Sequence, residues 1–136
     1  MTEREEETAH QQRILPTLDQ FLNRARAATR FGDRSFVYHE DFKSLYVRYA
    51  CHRYIAGKHV QNVLDIASVE AWEPRTGAFT RLVDRVREHH PDLIIFVENV
   101  LNPDFGAALM RRGYQHTDAD YNMSERVASY VLWRTA

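Results

Sequence analysis

Gly77 and the three residues after it, Ala78, Phe79 and Thr80, stand where a helix can begin, directly behind the polar stretch Glu73-Pro74-Arg75-Thr76. The first N–H groups of a helix have no partner inside it and carry positive potential, so amides at such a start can chelate phosphate oxygens. Arg75 and Arg81 could add charge at the same place. A plainer role is equally open: Gly77 could do no more than permit a turn, with Phe79 serving as core.

Other reactive side chains form weaker constellations. His89 and His90 are adjacent at an expected helix end, and the other five histidines are scattered, with no i, i+4 pair and no cysteine at ligand spacing. The sequence therefore predicts no metal site, and stabilising a helix C-terminus explains the pair better. Cys51 lies in an apolar strand with His52 on the opposite face, an arrangement unsuited to an activated thiol. Arg24, Arg26 and Arg30 read as a solvated helix face.

The elements that must position these groups follow from hydrophobic spacing. Residues 1–13 are polar with no regular apolar period and read as a frayed tail or the outer turns of a helix. Leu18, Phe21, Leu22, Ala25 and Ala28 recur at helical spacing, with Pro16 at the start and Phe31-Gly32-Asp33 as the stop. Two long strand-like runs, 45–55 and 60–71, flank Ala56-Gly57-Lys58-His59, a hairpin turn. The second run exceeds the usual strand length, which predicts a bulge or break near Asp65. Phe79, Leu82, Val83 and Val86 form a helix closed by Pro91, and residues 92–100 form a nearly continuous apolar strand of the kind covered on both faces. Strand, helix and strand make a right-handed βαβ unit. Asn102 can cap a short helix that has Pro103 at its first position and Gly113 beyond its end. An antiparallel hairpin from 114–116 and 127–133 closes the chain.

The 136 residues, 44% hydrophobic, suffice for one core without disulfides or a structural metal. Eighteen basic against nineteen acidic residues leave a formal charge of -1, so nucleic-acid binding lacks its electrostatic warrant. The glutamate-rich start has no apolar leader, and the longest apolar run is far below the roughly 20 residues of a membrane span. The expectation is a polar tail over 1–13, one domain over 14–136, a cytoplasmic location and no membrane partner.

The order of elements resembles the GNAT superfamily of N-acetyltransferases. In that family the fourth strand enters a turn often written V-x-P-x-x-R-G-x-G-x-G/A, whose amides bind the acetyl-CoA pyrophosphate. Here the stretch is Val69-Glu70-Ala71-Trp72-Glu73-Pro74-Arg75-Thr76-Gly77-Ala78-Phe79-Thr80, which keeps the Val69-to-Gly77 interval but has Pro74 and Arg75 where the family has Arg or Gln and its first glycine. The family's next segment, N-x-x-A-x-x-x-Y-x-x-x-G-F/Y, is similar to the stretch from Asn102 to Gly113-Tyr114, with Phe105 in the small position and Leu109 in place of the tyrosine that often protonates the leaving thiolate.

The resemblance implies an α/β fold of the α+β kind: a GNAT-like mixed, mostly antiparallel central sheet with a parallel βαβ unit and helices on both faces. It implies acetyl-CoA as acyl donor, a primary amine as acceptor, and a pantetheine arm inserted between splayed strands. Val69 and Ala71 would then pair with the arm, while Arg75, Thr76, Gly77, Ala78, Phe79, Thr80 and Asn102 would line the cofactor. Ser68 and Glu70 share the opposite strand face by two-residue alternation. Glu70 is the candidate base, because an amine must be neutral to attack and a nearby carboxylate can accept its proton; partial burial would raise its pKa usefully. Without the family, a surface carboxylate is the default reading. Ser68, Tyr49, His52 and Tyr121 are candidates for substrate contact. A GNAT-shaped module that binds a protein partner without catalysis is the alternative, and the acceptor and a homodimer are left open.

Overall fold

The chain runs α1 (Glu3–Ile14), α2 (Leu18–Ala27), β1 (Asp33–Phe36), β2 (Phe42–Ile55), β3 (Lys58–Ala71), α3 (Ala78–His89), β4 (Ile94–Val100), α4 (Pro103–Arg111), β5 (Gln115–Thr117) and β6 (Ala128–Leu132). This is a computed structural model that describes residues 2–28, 32–117 and 128–134. The strands form one six-stranded sheet in the order β1-β2-β3-β4-β6-β5. Only β3 and β4 pair in parallel; every other neighbouring pair is antiparallel. The fold is therefore mixed α+β, and α3 is the crossover between the parallel strands.

Local chemistry sets most boundaries. The β2–β3 hairpin turns on two residues, Ala56 (φ 52) and Gly57 (φ 76), while Lys58 already pairs with Ile55. Positive φ at both turn positions matches the right-handed twist of the flanking strands. The turn is thus shorter than the four residues expected. In α2, the Thr17 hydroxyl accepts from the Gln20 N–H while the Gln20 side chain accepts from the Thr17 N–H, a reciprocal cap. Asn102 caps α4 by accepting from the Asp104 N–H at 2.9 Å, Pro103 opens it, and Gly113 (φ 94) follows its end.

The polar N-terminal segment is a three-turn helix. Glu3, Glu5 and Glu6 in its first turn favour the positive end of the helix dipole, and Thr2 caps it. Its one buried residue is Gln11, whose side-chain amide donates to the Lys43 carbonyl at 2.7 Å. A polar contact, not an apolar stripe, holds α1 to β2.

The core is one-sided with respect to the helices. Buried apolar residues of α2, α3 and α4 all join one cluster with Leu45, Val47 and Tyr49 of β2, Leu64 and Ile66 of β3, and Ile95 and Val97 of β4. On the other face Ile55, Val63, Ile94, Phe96 and Val131 cluster with Ala50, Val60 and Trp133, with no helical residue among them. Thus α2, α3 and α4 share one face, while α1 joins neither cluster and meets the sheet through Gln11 and, by Arg4, the Trp72 ring. The apolar run of β4 is buried on both sides, but its second cover comes from strand neighbours and long side chains: the Arg53 guanidinium lies 4.3 Å from the centroid of the Phe96 ring. No described helix is long and apolar enough to cross a membrane.

Candidate functional site

The parallel ladder between β3 and β4 is short. It pairs Val63 with Ile94, Leu64 with Ile95, Asp65 with Phe96 and Ile66 with Val97, and among the described residues goes no further, although β3 continues to Ala71 against β2. Both strands become irregular at this level. The β2–β3 register slips by one residue between Ile66 and Ser68, making Ala67 a bulge, and the β4–β6 register shifts between Val97 and Val100. The bulge expected near Asp65 is found two residues later.

Beyond the bulge, one side of β3 faces the opening. The Trp72 N–H donates to the Asp41 carbonyl on the β2 side at 3.1 Å. Backbone polar groups alternate sides along a strand, so Glu70 shares that direction and the N–H and C=O groups of Val69 and Ala71 point towards the side β4 has left. Their side chains pack against the helix-covered core. Ser68 and Glu70 lie on the helix-free face, both exposed. The partial burial expected of Glu70 is therefore absent.

The strand leads into a turn that presents helix amides. Gly77 is the N-cap of α3 in the left-handed region (φ 80, ψ 10), and no side chain caps the helix. The Thr76 hydroxyl, a capping group by type, instead donates to the Glu73 carbonyl at 3.0 Å. Arg75 is also left-handed (φ 65), the position where the family would have glycine. Arg81 folds back over the turn, donating to the Thr76 carbonyl at 2.8 Å, with its other terminal nitrogen 3.9 Å from the Asp41 carboxylate. Positive charge thus stands beside the uncapped amides of Ala78, Phe79 and Thr80. The Phe79 ring packs edge-on against Phe105 at 5.1 Å, so that residue can offer an amide while its side chain is core.

The remaining sequence candidates are dispersed. Tyr49 is buried in the helix-side core and donates to the Asn62 side chain at 2.8 Å, with its phenol pKa raised by burial. It presents nothing to a substrate, which corrects its assignment to substrate contact. His52 is exposed but stacks on His59 towards the hairpin tip. Its partner Gln61 lies about 20 Å along β3 from the Ala67 bulge, at roughly 3.3 Å per residue, so His52 is removed from the opening. Tyr121 lies outside the described residues. The Asn102 side-chain oxygen is committed to its own helix.

Sequence reasoning missed a charged cluster on the helix-free face. Asp65 is fully buried, with Oδ2 2.6 Å from Arg53 and 3.9 Å from Arg48. The same nitrogen of Arg48 lies 3.2 Å from the Glu98 carboxylate. Asp65 Oδ1 has no hydrogen-bond partner among the described residues. Burial first, and then the nearby Glu98 carboxylate, push the Asp65 pKa up to about 7 against the pull of Arg53. The signal was an aspartate inside the apolar run 63–66, read as a break in the strand; it is a paired position of an unbroken ladder. No known protein-family model, curated protein or solved structure matches this chain.

Proposed function

We propose that the protein is an acyl-CoA-dependent N-acyltransferase, with acetyl-CoA as donor, that transfers the acyl group directly to a primary amine. The observation that carries this reading is the end of the β3–β4 ladder at Ile66 and Val97, beyond which β3 backbone is unpaired among the described residues on the β4 side and leads to the start of α3, uncapped by any described side chain. An extended amide-bearing arm can pair with Val69 and Ala71 as an added strand pairs with a sheet edge. A diphosphate can sit on the amides of Ala78, Phe79 and Thr80 beside Arg75 and Arg81. The resemblance to GNAT acetyltransferases supports the same placement.

Catalysis in this reading is mostly positional. Holding thioester and amine together removes the entropic barrier of their encounter, and a β3 amide near the bulge can polarise the thioester carbonyl. The amine nitrogen bonds to the carbonyl carbon, the C–S bond breaks, and the thiolate takes a proton from water. Glu70, exposed on the face from which an acceptor can approach, is the sequence-assigned proton acceptor.

The test is calorimetric titration with acetyl-CoA, followed by HPLC measurement of coenzyme A released with a panel of primary amines. Binding and amine-dependent release are expected. Glu70→Gln should lower turnover while leaving acetyl-CoA affinity intact; turnover equal to wild type removes Glu70 from the role. A second reading has its own observation. Leu109, at the family's acid position, is buried at 2% exposure and has no proton to give. Absence of binding at millimolar acetyl-CoA selects the partner-binding module instead.

A further inference from the structure

A cavity of about 280 Å³ lies on the helical side of the sheet, between the start of α2, the middle of α3 and the loop from β1 to β2. It shares no residue with the acyl-donor groups over 69–80. Main-chain bonds build its walls. The Tyr38 N–H donates to the Pro16 carbonyl at 2.8 Å, which ties the loop to the residue ahead of the capped α2 start, and the Trp72 N–H holds the other end of the loop through the Asp41 carbonyl. Leu18, Leu82 and Val86, all members of the buried helix-side core, supply an aliphatic floor. A site held in shape by its own backbone spares a ligand the cost of ordering it.

The polar part of the lining carries both signs of charge. Asp19 Oδ2 and an Arg85 terminal nitrogen face each other at 3.8 Å, too far for a hydrogen bond, with 40% and 66% of their side chains exposed. An exposed pair this loose contributes little and opens easily. Glu40 adds a second, exposed carboxylate. Among the described residues, no hydrogen bond engages the charged groups of Asp19, Glu40 or Arg85. His39 adds a donor without adding charge: its Nδ1 accepts from the Asp41 N–H at 3.1 Å, which leaves the ring proton on Nε2, and burial lowers the ring's pKa.

The ligand that answers this lining has an ammonium for the two carboxylates, a carboxylate for the guanidinium, which pairs with it bidentately, and an aliphatic part for the floor. A lone anion would meet Asp19 and Glu40, and a lone amine would leave Arg85 unanswered. The volume is just below the roughly 300 Å³ at which small-molecule sites begin, so it suits one amino acid better than a nucleotide. We propose that this cavity binds a free aliphatic α-amino acid, with its ammonium against Asp19 and Glu40 and its carboxylate against Arg85. The inference goes beyond the acyltransferase reading and does not depend on it.

NMR titration of the backbone amides with L-leucine tests the proposal, alongside isopentylamine, which lacks the carboxylate, and isocaproate, which lacks the ammonium. Saturable shifts at Leu18, His39 and Val86 are expected, with a Kd of about 1 mM or tighter for so small a ligand. Each truncated analogue should bind about tenfold more weakly or worse, the loss that accompanies one charge-assisted hydrogen bond. Arg85→Gln should reduce L-leucine to the affinity of isopentylamine while leaving that amine within about twofold of its wild-type value. Glu40→Gln should weaken L-leucine and leave isocaproate no weaker. Both positions are exposed, and unchanged amide shifts away from the cavity confirm that the variants fold. Shifts that do not saturate by about 10 mM L-leucine, equal affinity for L-leucine and its two analogues, saturable shifts confined to other parts of the protein, or an Arg85→Gln variant that binds L-leucine as wild type does would each overturn the assignment. The acetyl-CoA titration is read separately and is untouched by any of these outcomes.

Discussion

A methyl group added at Gly106 would stand 2.3 Å from the Tyr130 hydroxyl oxygen and 2.9 Å from Cζ of the same ring. Both residues are buried, and α4 crosses β6 closely because this position has no side chain. Gly106→Ala should therefore destabilise the fold by about 1–3 kcal/mol through overpacking, read as a lower urea midpoint at unchanged slope. Tyr130→Phe in the Gly106→Ala background removes the nearest atom and should recover part of the loss; no recovery would place the strain elsewhere. Residues with a local conformational task were legible in advance: Asn102 as a cap, Gly113 past a helix end, Gly77 at a helix start. Gly106 and Asp65 were not, because their roles depend on what lies across the sheet. A glycine in a helix declares no neighbour, and an aspartate among valines and isoleucines declares no arginine.

Elements were legible where one face is apolar and obscure where the contacts are polar. The period of α2 and α3 and the alternation of β2 showed in the chain, but α1 has no apolar stripe and docks through Gln11. The length of the second hairpin arm announced a bulge, and its place at Ala67 is fixed by pairing with β2, which no local pattern encodes. Among the described residues, β3 is paired on both sides over 63–66 and only with β2 beyond the bulge. Hydrogen exchange should follow the division. The amides of Val69 and Ala71, which face the opening, should exchange faster than those of residues 63–66, and acetyl-CoA should slow them selectively. Exchange by NMR that finds Val69 as protected as Leu64 in the unliganded protein would mean that the opening is closed in solution.

At the scale of the whole molecule, the two faces of the sheet respond to pH with opposite sign. On the helical side, Arg26 of α2 donates to His90 Nδ1 at 3.1 Å and pairs with Asp92 beyond α3. Burial first, then the Arg26 charge, lowers the His90 pKa; burial lowers that of His39, against the opposing charges of Asp41 and Glu40; the bond from Arg26 lowers that of Asp92. Depressed values give stability that is present above the unfolded-state pKa and lost as pH falls through the folded one, so the histidines weaken the fold below about pH 6.5 and Asp92 below about pH 4. On the helix-free side Asp65 is raised from 3.8 to about 7. The folded state there holds a proton that the unfolded chain has released, so its contribution is complete below pH 3.8 and declines as pH rises to about 7. A shift of that size corresponds to about 4 kcal/mol across the window. Asp65→Asn has no proton to lose. Its stability relative to wild type, from urea unfolding at pH 4 to 9, should accordingly climb by up to that amount between pH 4 and 7 and stay level above. A difference independent of pH would mean that Asp65 is ionised throughout, held by Arg53 and Arg48 as a permanent ion pair.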